Sequence, residues 1–271
     1  MSEFNAESKV AVPSPLSGSV PLGPRPPDTT PTKNITEKTL NTELTAPQPP
    51  INYYVKYSFM ITYILLLTTA TITFIEAMRT NVPTIRHILN LETAISVIAG
   101  YFYSLFLEKI QTYEKNNKEI DWSDITKTRY VDWAITTPLM LLILCVVLAL
   151  EKNTPVKLHT ILQIFGLNYL MLFIGFLGET DKLNHTIAVF AAFVPFALMF
   201  YIIYVTFIKS KLSFAKSFLY YFYLIVWSLY GVVYMLPNDV KNIITNVLDC
   251  ISKCLVGNGL FIYYSHIITG W

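Results

Sequence analysis

Charged residues are scarce in this chain. Of its 271 residues, 14% are charged and 53% are hydrophobic, and the mean hydropathy is +0.46. A composition this apolar excludes an ordinary soluble domain. The net charge is only +2, so we expect no extended basic surface and predict no nucleic-acid partner.

Cysteine is also rare, and the positions of the few cysteines exclude a cysteine metal site. The three cysteines, Cys145, Cys250 and Cys254, all fall inside apolar segments. Their spacing does not match that of a metal site, and we predict no bound metal. We expect these side chains to pack as small hydrophobic groups.

Apolar runs of about 20 residues, the length that crosses a bilayer as a helix, follow one another along the chain. Each run must be helical, because no other open structure satisfies its backbone hydrogen bonds in lipid. We therefore predict an all-α fold, a bundle of seven transmembrane helices embedded in a lipid bilayer. The runs lie near residues 53–78, 86–108, 128–150, 155–178, 184–208, 213–236 and 241–266.

Residues 1–52 have a different composition, rich in proline, serine and threonine and almost free of aromatic residues. Such a segment cannot bury enough apolar surface to fold, and we predict that it is disordered. It lacks the apolar core of a cleavable signal peptide. The predicted organisation is a tail over residues 1–52 and a seven-helix domain over residues 53–271.

Basic residues concentrate in one set of loops. If the N-terminus is outside, the cytoplasmic loops lie near residues 79–86, 151–155 and 209–216. These loops together contain six lysines and arginines and one acid, Glu151. The opposite loops mix both signs. An excess of basic residues marks the cytoplasmic side, so we predict an extracellular tail and a cytoplasmic C-terminus.

A lysine stands in the middle of the last apolar run. Lys253 follows Asp249 by four residues, which places both side chains on one face of a helix. A charge at this depth is costly and is usually retained for a function. Two interpretations are open: an ordinary salt bridge inside a transporter, or an amine that attacks a carbonyl and forms a Schiff base.

The third helix opens with a second charged group. Arg129, Asp132 and Thr136 are spaced to share one helical face. They could form a structural ion-pair cluster with the charges of the last helix. They could instead serve a protonated Schiff base on Lys253, which needs a nearby anion. In that case Asp132 and Asp249 both act as counterions, and Arg129 balances the second negative charge.

These motifs resemble the microbial (type I) rhodopsins, the bacteriorhodopsin-like family. The resemblance rests on Arg-Tyr-x-Asp-Trp-x-x-Thr-Thr-Pro, which begins at Arg129, and on Leu-Asp-x-x-x-Lys, which ends at Lys253. It implies a photoreceptor with all-trans retinal bound to Lys253 in a buried pocket. The pocket residues it implies are Trp133, Thr137, Met140, Asn168, Met171, Gly175, Pro195, Met199, Trp227, Tyr230 and Tyr234. The chain departs from the family pattern at Gly231, where proline is common, and at Tyr234, where tryptophan is common.

Three positions of the third helix report ion specificity in that family, and here they are Asp132, Thr136 and Ile143. The first two resemble the proton-pump pattern, with Asp132 as counterion and proton acceptor and Thr136 as its hydrogen-bond partner. The sodium-pump and chloride-pump patterns are absent. Isoleucine replaces the carboxylic proton donor at the third position, so an outward proton pump needs its donor elsewhere.

Glu92 is the candidate donor. It lies about six residues, roughly 9 Å, inside the second helix on the predicted cytoplasmic side. Burial favours the protonated carboxyl that a reprotonating acid requires. Glu92 could instead pair with Arg86 or His87, or extend to the interface. With Glu76, this segment resembles rhodopsins carried by giant viruses of algae and other protists, which include proton pumps and light-gated cation channels.

Three functions stay open: a light-driven proton pump, a light-gated cation channel and a photosensor. A channel needs a continuous polar path, for which Asn246 and Lys241 are candidates, although a helix cap and an interfacial lysine explain them too. A sensor needs a transducer or a fused signalling domain, and none follows before Trp271. We predict transport of H⁺ or another cation rather than enzymatic activity, with the pump first. The resemblance also implies a homo-oligomer.

Overall fold

The structure is a computed structural model that describes residues 51–150, 156–209 and 214–269. The predicted tail, apart from its last two residues, lies outside these ranges. Most of the two predicted cytoplasmic loops near 151–155 and 209–216 lies outside them as well.

Every regular element in the described ranges is helical, which confirms the predicted all-α class. Apart from the last two, which continue one another, helices that are neighbours in the chain run in opposite directions across the bundle. Their bounds are α1 Ile51–Arg79, α2 Pro83–Lys115, α3 Trp122–Leu150, α4 Leu158–Glu179, α5 His185–Ile203, α6 Phe214–Val233, α7 Asn238–Asp249 and α8 Val256–Thr269.

Two π-helical turns interrupt this pattern. Tyr204–Ile208 extends α5, and Cys250–Leu255 joins α7 to α8, so that these three segments form one long seventh helix. Such π-helical turns often occur at functional sites. The second one contains Lys253.

Six helices in the described ranges are long and apolar enough to cross a membrane, and the apolar part of the remaining one, Ser217–Val233, is shorter. The chain is therefore an integral, multi-pass membrane protein. Large apolar side chains such as Leu158 and Phe190 are more than 70% exposed on the outside of the bundle. This exposure suits contact with lipid.

Helix α3 is one of the two most buried membrane helices in the described ranges. In its most apolar window 56% of the residues are buried, as in the seventh helix, against 33% for α1 and α4. Because α3 touches its neighbours on several faces, its polar side chains reach residues of other helices instead of lipid. This position places Asp132 and Arg129, both buried, inside the protein.

Candidate functional site

Lys253 lies at the centre of a buried charged cluster. Its Nζ atom is 3.0 Å from Oδ2 of Asp132 and 3.4 Å from Oδ2 of Asp249. Lys253 is 2% exposed and both aspartates are fully buried. The lysine therefore faces two carboxylates, one from α3 and one a turn earlier on its own helix.

Asp249 is held by several donors. The Tyr230 hydroxyl donates to its Oδ1 atom over 2.6 Å, and the Tyr103 hydroxyl donates to Oδ2 over 2.8 Å. Arg129 Nη1 lies 3.7 Å from Oδ2. Hydrogen bonds and a nearby cation stabilise the charged form of a carboxyl group, so Asp249 is well suited to stay an anion.

Asp132 is held less firmly. Apart from Lys253, its Oδ1 atom accepts one long hydrogen bond of 3.3 Å from the Thr136 hydroxyl. That hydroxyl is shared, because it also donates to the Asp132 carbonyl over 2.9 Å. Of the two carboxylates beside Lys253, Asp132 is thus the one with spare capacity to accept a proton.

Arg129 is buried among amides and aromatic rings. Its Nη2 atom donates to Oδ1 of Asn242 over 3.0 Å and to Oδ1 of Asn246 over 2.9 Å. Its guanidinium carbon also lies 5.2 Å from the ring centroid of Phe59 and 5.0 Å from that of Phe106. These contacts satisfy a buried cation that would otherwise be costly. Asn246 is accordingly part of the charged cluster and not a helix cap.

A cavity lined by Lys253 lies between α3, α4, α5, α6 and α7. The wall near the lysine is aromatic: the rings of Trp133 and Tyr230 meet edge to face with centroids 5.5 Å apart. The predicted pocket residues that line the cavity are Trp133, Thr137, Met140, Met171, Gly175, Trp227, Tyr230, Tyr234 and Lys253. The walls of the cavity are mainly apolar, and the fully buried amine of Lys253 lies among them. Both features fit retinal, whose polyene is apolar and whose aldehyde reacts with an amine.

Three of the predicted pocket residues do not line this cavity. Asn168 is buried behind it and donates to Oγ1 of Thr137 over 2.8 Å, so it contacts a lining residue. Pro195 is buried in α5 and Met199 is fully buried in the apolar core. Hydropathy places these residues on helices, but the rotation of each helix about its axis depends on packing.

The cavity also has lining residues that the sequence analysis did not include. Phe193 and Phe196 of α5 contribute rings, and Ser252 stands beside Lys253. A Cβ atom added to Gly231 would lie 2.5 Å from the Phe193 ring. The glycine at this position therefore allows the ring to pack against α6, a consequence that the departure from the family pattern could have suggested.

Glu92 lies outside the cavity, in the half of the bundle where α1 meets α2. It is 2% exposed, and among the described residues it makes no hydrogen bond or ion pair. A Cβ atom added to Gly257 would lie 3.3 Å from Glu92 Oε2. Glu92 therefore contacts the seventh helix four residues beyond Lys253.

Arg86, one of the two alternative partners of Glu92, is engaged elsewhere. Arg86 donates from Nη2 to the Thr80 carbonyl over 2.8 Å, and Glu76 lies 3.6 Å from Nη1 of Arg79. Arg86 and Glu76 thus belong to the surface where α1 turns into α2. Glu92 lies deeper, as an isolated buried carboxyl within the described part of the chain.

Seven membrane helices around a buried lysine with two carboxylates define a protein of the microbial rhodopsin class. The chain belongs to the bacteriorhodopsin-like protein family, which it matches over residues 54–269. This confirms the resemblance seen in the motifs. The family implies a retinal chromophore.

The structure is similar to that of viral rhodopsin OLPVRII, with 40% sequence identity, a TM-score of 0.72, and coverage of 79% of this chain and 98% of that one. It also shares the fold of the proton-pumping rhodopsin AR2 from the marine alga Acetabularia acetabulum, with 22% identity, a TM-score of 0.66, and coverage of 82% and 98%. Bacteriorhodopsin from Halobacterium salinarum is 29% identical over 159 residues, which are 52% of this chain and 57% of that protein.

Proposed function

We propose that this protein binds retinal at Lys253 and uses light to pump protons outward across a membrane. The observation that carries the proposal is the asymmetry of the two carboxylates beside Lys253. Asp249 has two phenol donors and an arginine, whereas Asp132 lies closer to Nζ, at 3.0 Å, and has one long hydrogen bond from Thr136.

When attached to Lys253, retinal would supply light absorption and an isomerisation that disturbs the contacts of the lysine nitrogen. Residues of this chain then decide where the proton goes. Asp132 Oδ2 is the nearest acceptor to Nζ, and Thr136 stays hydrogen-bonded to the same side chain. Asp249 keeps its charge through Tyr103 and Tyr230, so it balances the positive nitrogen without taking its proton.

Glu92 is the proposed donor that resupplies the lysine nitrogen. Its place against Gly257 puts a carboxyl group about one helical turn from Lys253. Ile143, in the position where related pumps carry an acid, is buried and cannot hold a proton. Ser96 Oγ and Asn258 Oδ1 are buried without a hydrogen-bond partner in the described part of the chain. Ordered water bound to such groups would connect Glu92 to the lysine.

The direction of transport follows from the predicted orientation. If the end where α1 meets α2 is cytoplasmic, Glu92 takes up protons from the cytoplasm and Asp132 releases them to the outside. The basic residues Arg79, Arg86 and Lys209 lie at that end, which supports this orientation. We further propose a homo-oligomer, on the resemblance alone.

A light-gated cation channel is the second candidate, and a polar seam between α1 and the seventh helix favours it. Asn246 donates to Ser58 Oγ over 2.8 Å, and Asn258 donates to Thr69 Oγ1 over 3.2 Å. A chain of such groups could hold water from one side of the bundle to the other. Leu66, fully buried on α1 between these two contacts, interrupts the seam and favours the pump.

Photocurrents measured over a range of membrane voltages separate the two candidates. A pump gives an outward current that keeps its sign at every voltage, because light supplies the driving force. A channel gives a current that reverses sign where the driving force on its ion is zero. Reversal near that voltage would contradict the pump and support the channel.

A further inference from the structure

An ion pair that the transport chemistry described above does not use lines one end of the internal cavity. Lys241 Nζ lies 2.9 Å from Oε1 and 2.8 Å from Oε2 of Glu179. Both residues line the cavity, and their side chains are 12% and 9% exposed, respectively. Lys241 is therefore paired with Glu179 and does not extend to the membrane surface, as an interfacial lysine would.

The pair joins two helices that are distant in the chain. Glu179 is the last residue of α4 and Lys241 lies in the first turn of α7, so their contact fastens the two helix ends together. The loops α2–α3, α4–α5 and α6–α7 share this end of the bundle. It is the end opposite Glu92.

An aromatic layer supports the pair from inside. The Tyr234 hydroxyl donates to the Gly175 carbonyl over 3.0 Å, and Lys241 Nζ lies 5.9 Å from the centroid of the Tyr234 ring. His185 stacks on the same ring at 4.1 Å, and its Nε2 atom is 3.9 Å from Glu179 Oε1. Tyr234 thus positions both a cation and an imidazole beside the carboxylate.

Polar residues continue from the pair toward the charged cluster. Asn242 follows Lys241 in the chain, lines the same cavity and accepts a hydrogen bond from Arg129. Thr245, one turn further along α7, also lines it and is 4% exposed. One cavity therefore borders the Glu179–Lys241 pair, Arg129, Asp249 and Lys253.

We propose that the Glu179–Lys241 pair is a gate through which the transported ion passes between the internal cavity and this end of the protein. The inference rests on the proposed transport function for the identity of the ion. Its geometric part does not depend on that function: while the pair is intact, water-soluble solutes are kept from the cavity behind it. A pair that only fastened α4 to α7 would not control access to Thr245.

Thiol labelling tests access without requiring pigment. Thr245→Cys is introduced into the full chain in lipid nanodiscs, and modification of position 245 by a charged, membrane-impermeant methanethiosulfonate is followed by peptide mass spectrometry. Native Cys145, fully buried in the opposite half of the bundle, serves as the internal reference. Lys241→Met or Glu179→Gln should accelerate labelling about threefold to tenfold, the change expected when opening no longer requires breaking a partly buried ion pair.

Lys109→Met is the matched control. It breaks the ion pair of Lys109 with Asp124, 2.7 Å long and at the same end of the bundle, and neither residue lines the cavity. Labelling at position 245 should stay at the parent rate. Equal acceleration in this control, or no acceleration in Lys241→Met and Glu179→Gln, would overturn the gate. If either single variant fails to fold, the exchange Glu179→Lys with Lys241→Glu should restore an ion pair and slow labelling, and fast labelling there would also overturn it.

A second measurement separates failure of the gate from failure of the pump. In pigment reconstituted with retinal, a pH dye in the solution on this side reports when protons leave the protein after a flash. Lys241→Met should change the release time while the visible absorbance stays that of the parent. Unchanged labelling with normal pumping would reject the gate alone, whereas accelerated labelling without any proton movement would reject the pump alone.

Discussion

Replacing Glu92 by glutamine tests whether this residue is the proton donor of the proposed mechanism. Glutamine keeps the size and hydrogen-bonding capacity of the side chain and removes only its transferable proton. The carboxyl group contacts Gly257, four residues and so roughly 6 Å along the helix from Lys253. Helix α2 begins at Pro83, nine residues before Glu92, so the next source of protons is water roughly 14 Å away.

A positioned general acid contributes about a hundredfold or more to a proton transfer, although mobile water replaces part of that effect. We therefore expect the proton-uptake phase of the light cycle to slow by about tenfold or more in Glu92→Gln. The rate should also become proportional to the proton concentration, so that it falls as the pH rises. In the parent protein, the internal donor makes this phase nearly independent of pH.

Flash photolysis between pH 6 and 8 measures this phase directly. A rate proportional to the proton concentration changes about tenfold per pH unit, so a range of about two units reveals the dependence. Azide, a small mobile acid, should partly restore the rate in the variant. Thr160→Val is the control, because it removes a buried hydroxyl from α4, which the proposed proton route does not use, and no acid. An unchanged, pH-independent uptake phase in Glu92→Gln would refute the donor role, and an altered passive photocurrent would then favour the channel.

Three further changes test separate parts of the account. Lys253→Ala should abolish visible absorbance after retinal is added, and an intact pigment band would end the retinal assignment. Asp132→Asn should shift the absorbance to the red and stop proton release, because it removes the carboxylate 3.0 Å from the lysine nitrogen; normal pumping with an unmoved spectrum would transfer the role to Asp249. Gly178→Ala should destabilise the protein by about 1–3 kcal/mol in thermal unfolding, since the added methyl group would overlap the Tyr234 hydroxyl and lie 2.5 Å from Cβ of Ala188; an unchanged melting temperature would contradict this packing.

Local spacing was enough to predict the centre of the site. Asp249 and Lys253 are one turn apart on one helix, so their contact follows from helical geometry once the segment is known to be helical. Asp132 could be assigned to the same site because a second buried charge in a membrane needs a partner. Its 3.0 Å contact with Lys253 agrees with that reasoning.

Contacts between distant helices could not be predicted in the same way. Tyr103 of α2 donates to Asp249, and Phe106 packs on Arg129, yet neither residue belongs to a charged or polar motif. These contacts depend on how α2 is rotated and shifted relative to α3 and α7, which packing determines. The π-helical turn at Cys250–Leu255 is likewise invisible in the hydropathy of the segment.

Helix ends differed from the predicted runs for a related reason. Helix α2 extends from Pro83 to Lys115, beyond the apolar run at 86–108, because polar residues continue a helix past the lipid. Hydropathy locates the membrane, whereas hydrogen bonds and capping locate the ends. The Glu179–Lys241 pair was missed because each partner stands at such an end, 62 residues apart in the chain.

The most direct test of the proposed pump is the light-induced pH change in an unbuffered suspension of cells that express the protein and contain retinal. Illumination should acidify the medium, and a protonophore should abolish the signal because protons then flow back. Asp132→Asn should give no signal at matched expression. Absence of acidification in the parent protein, or alkalinisation of the medium, would contradict outward pumping.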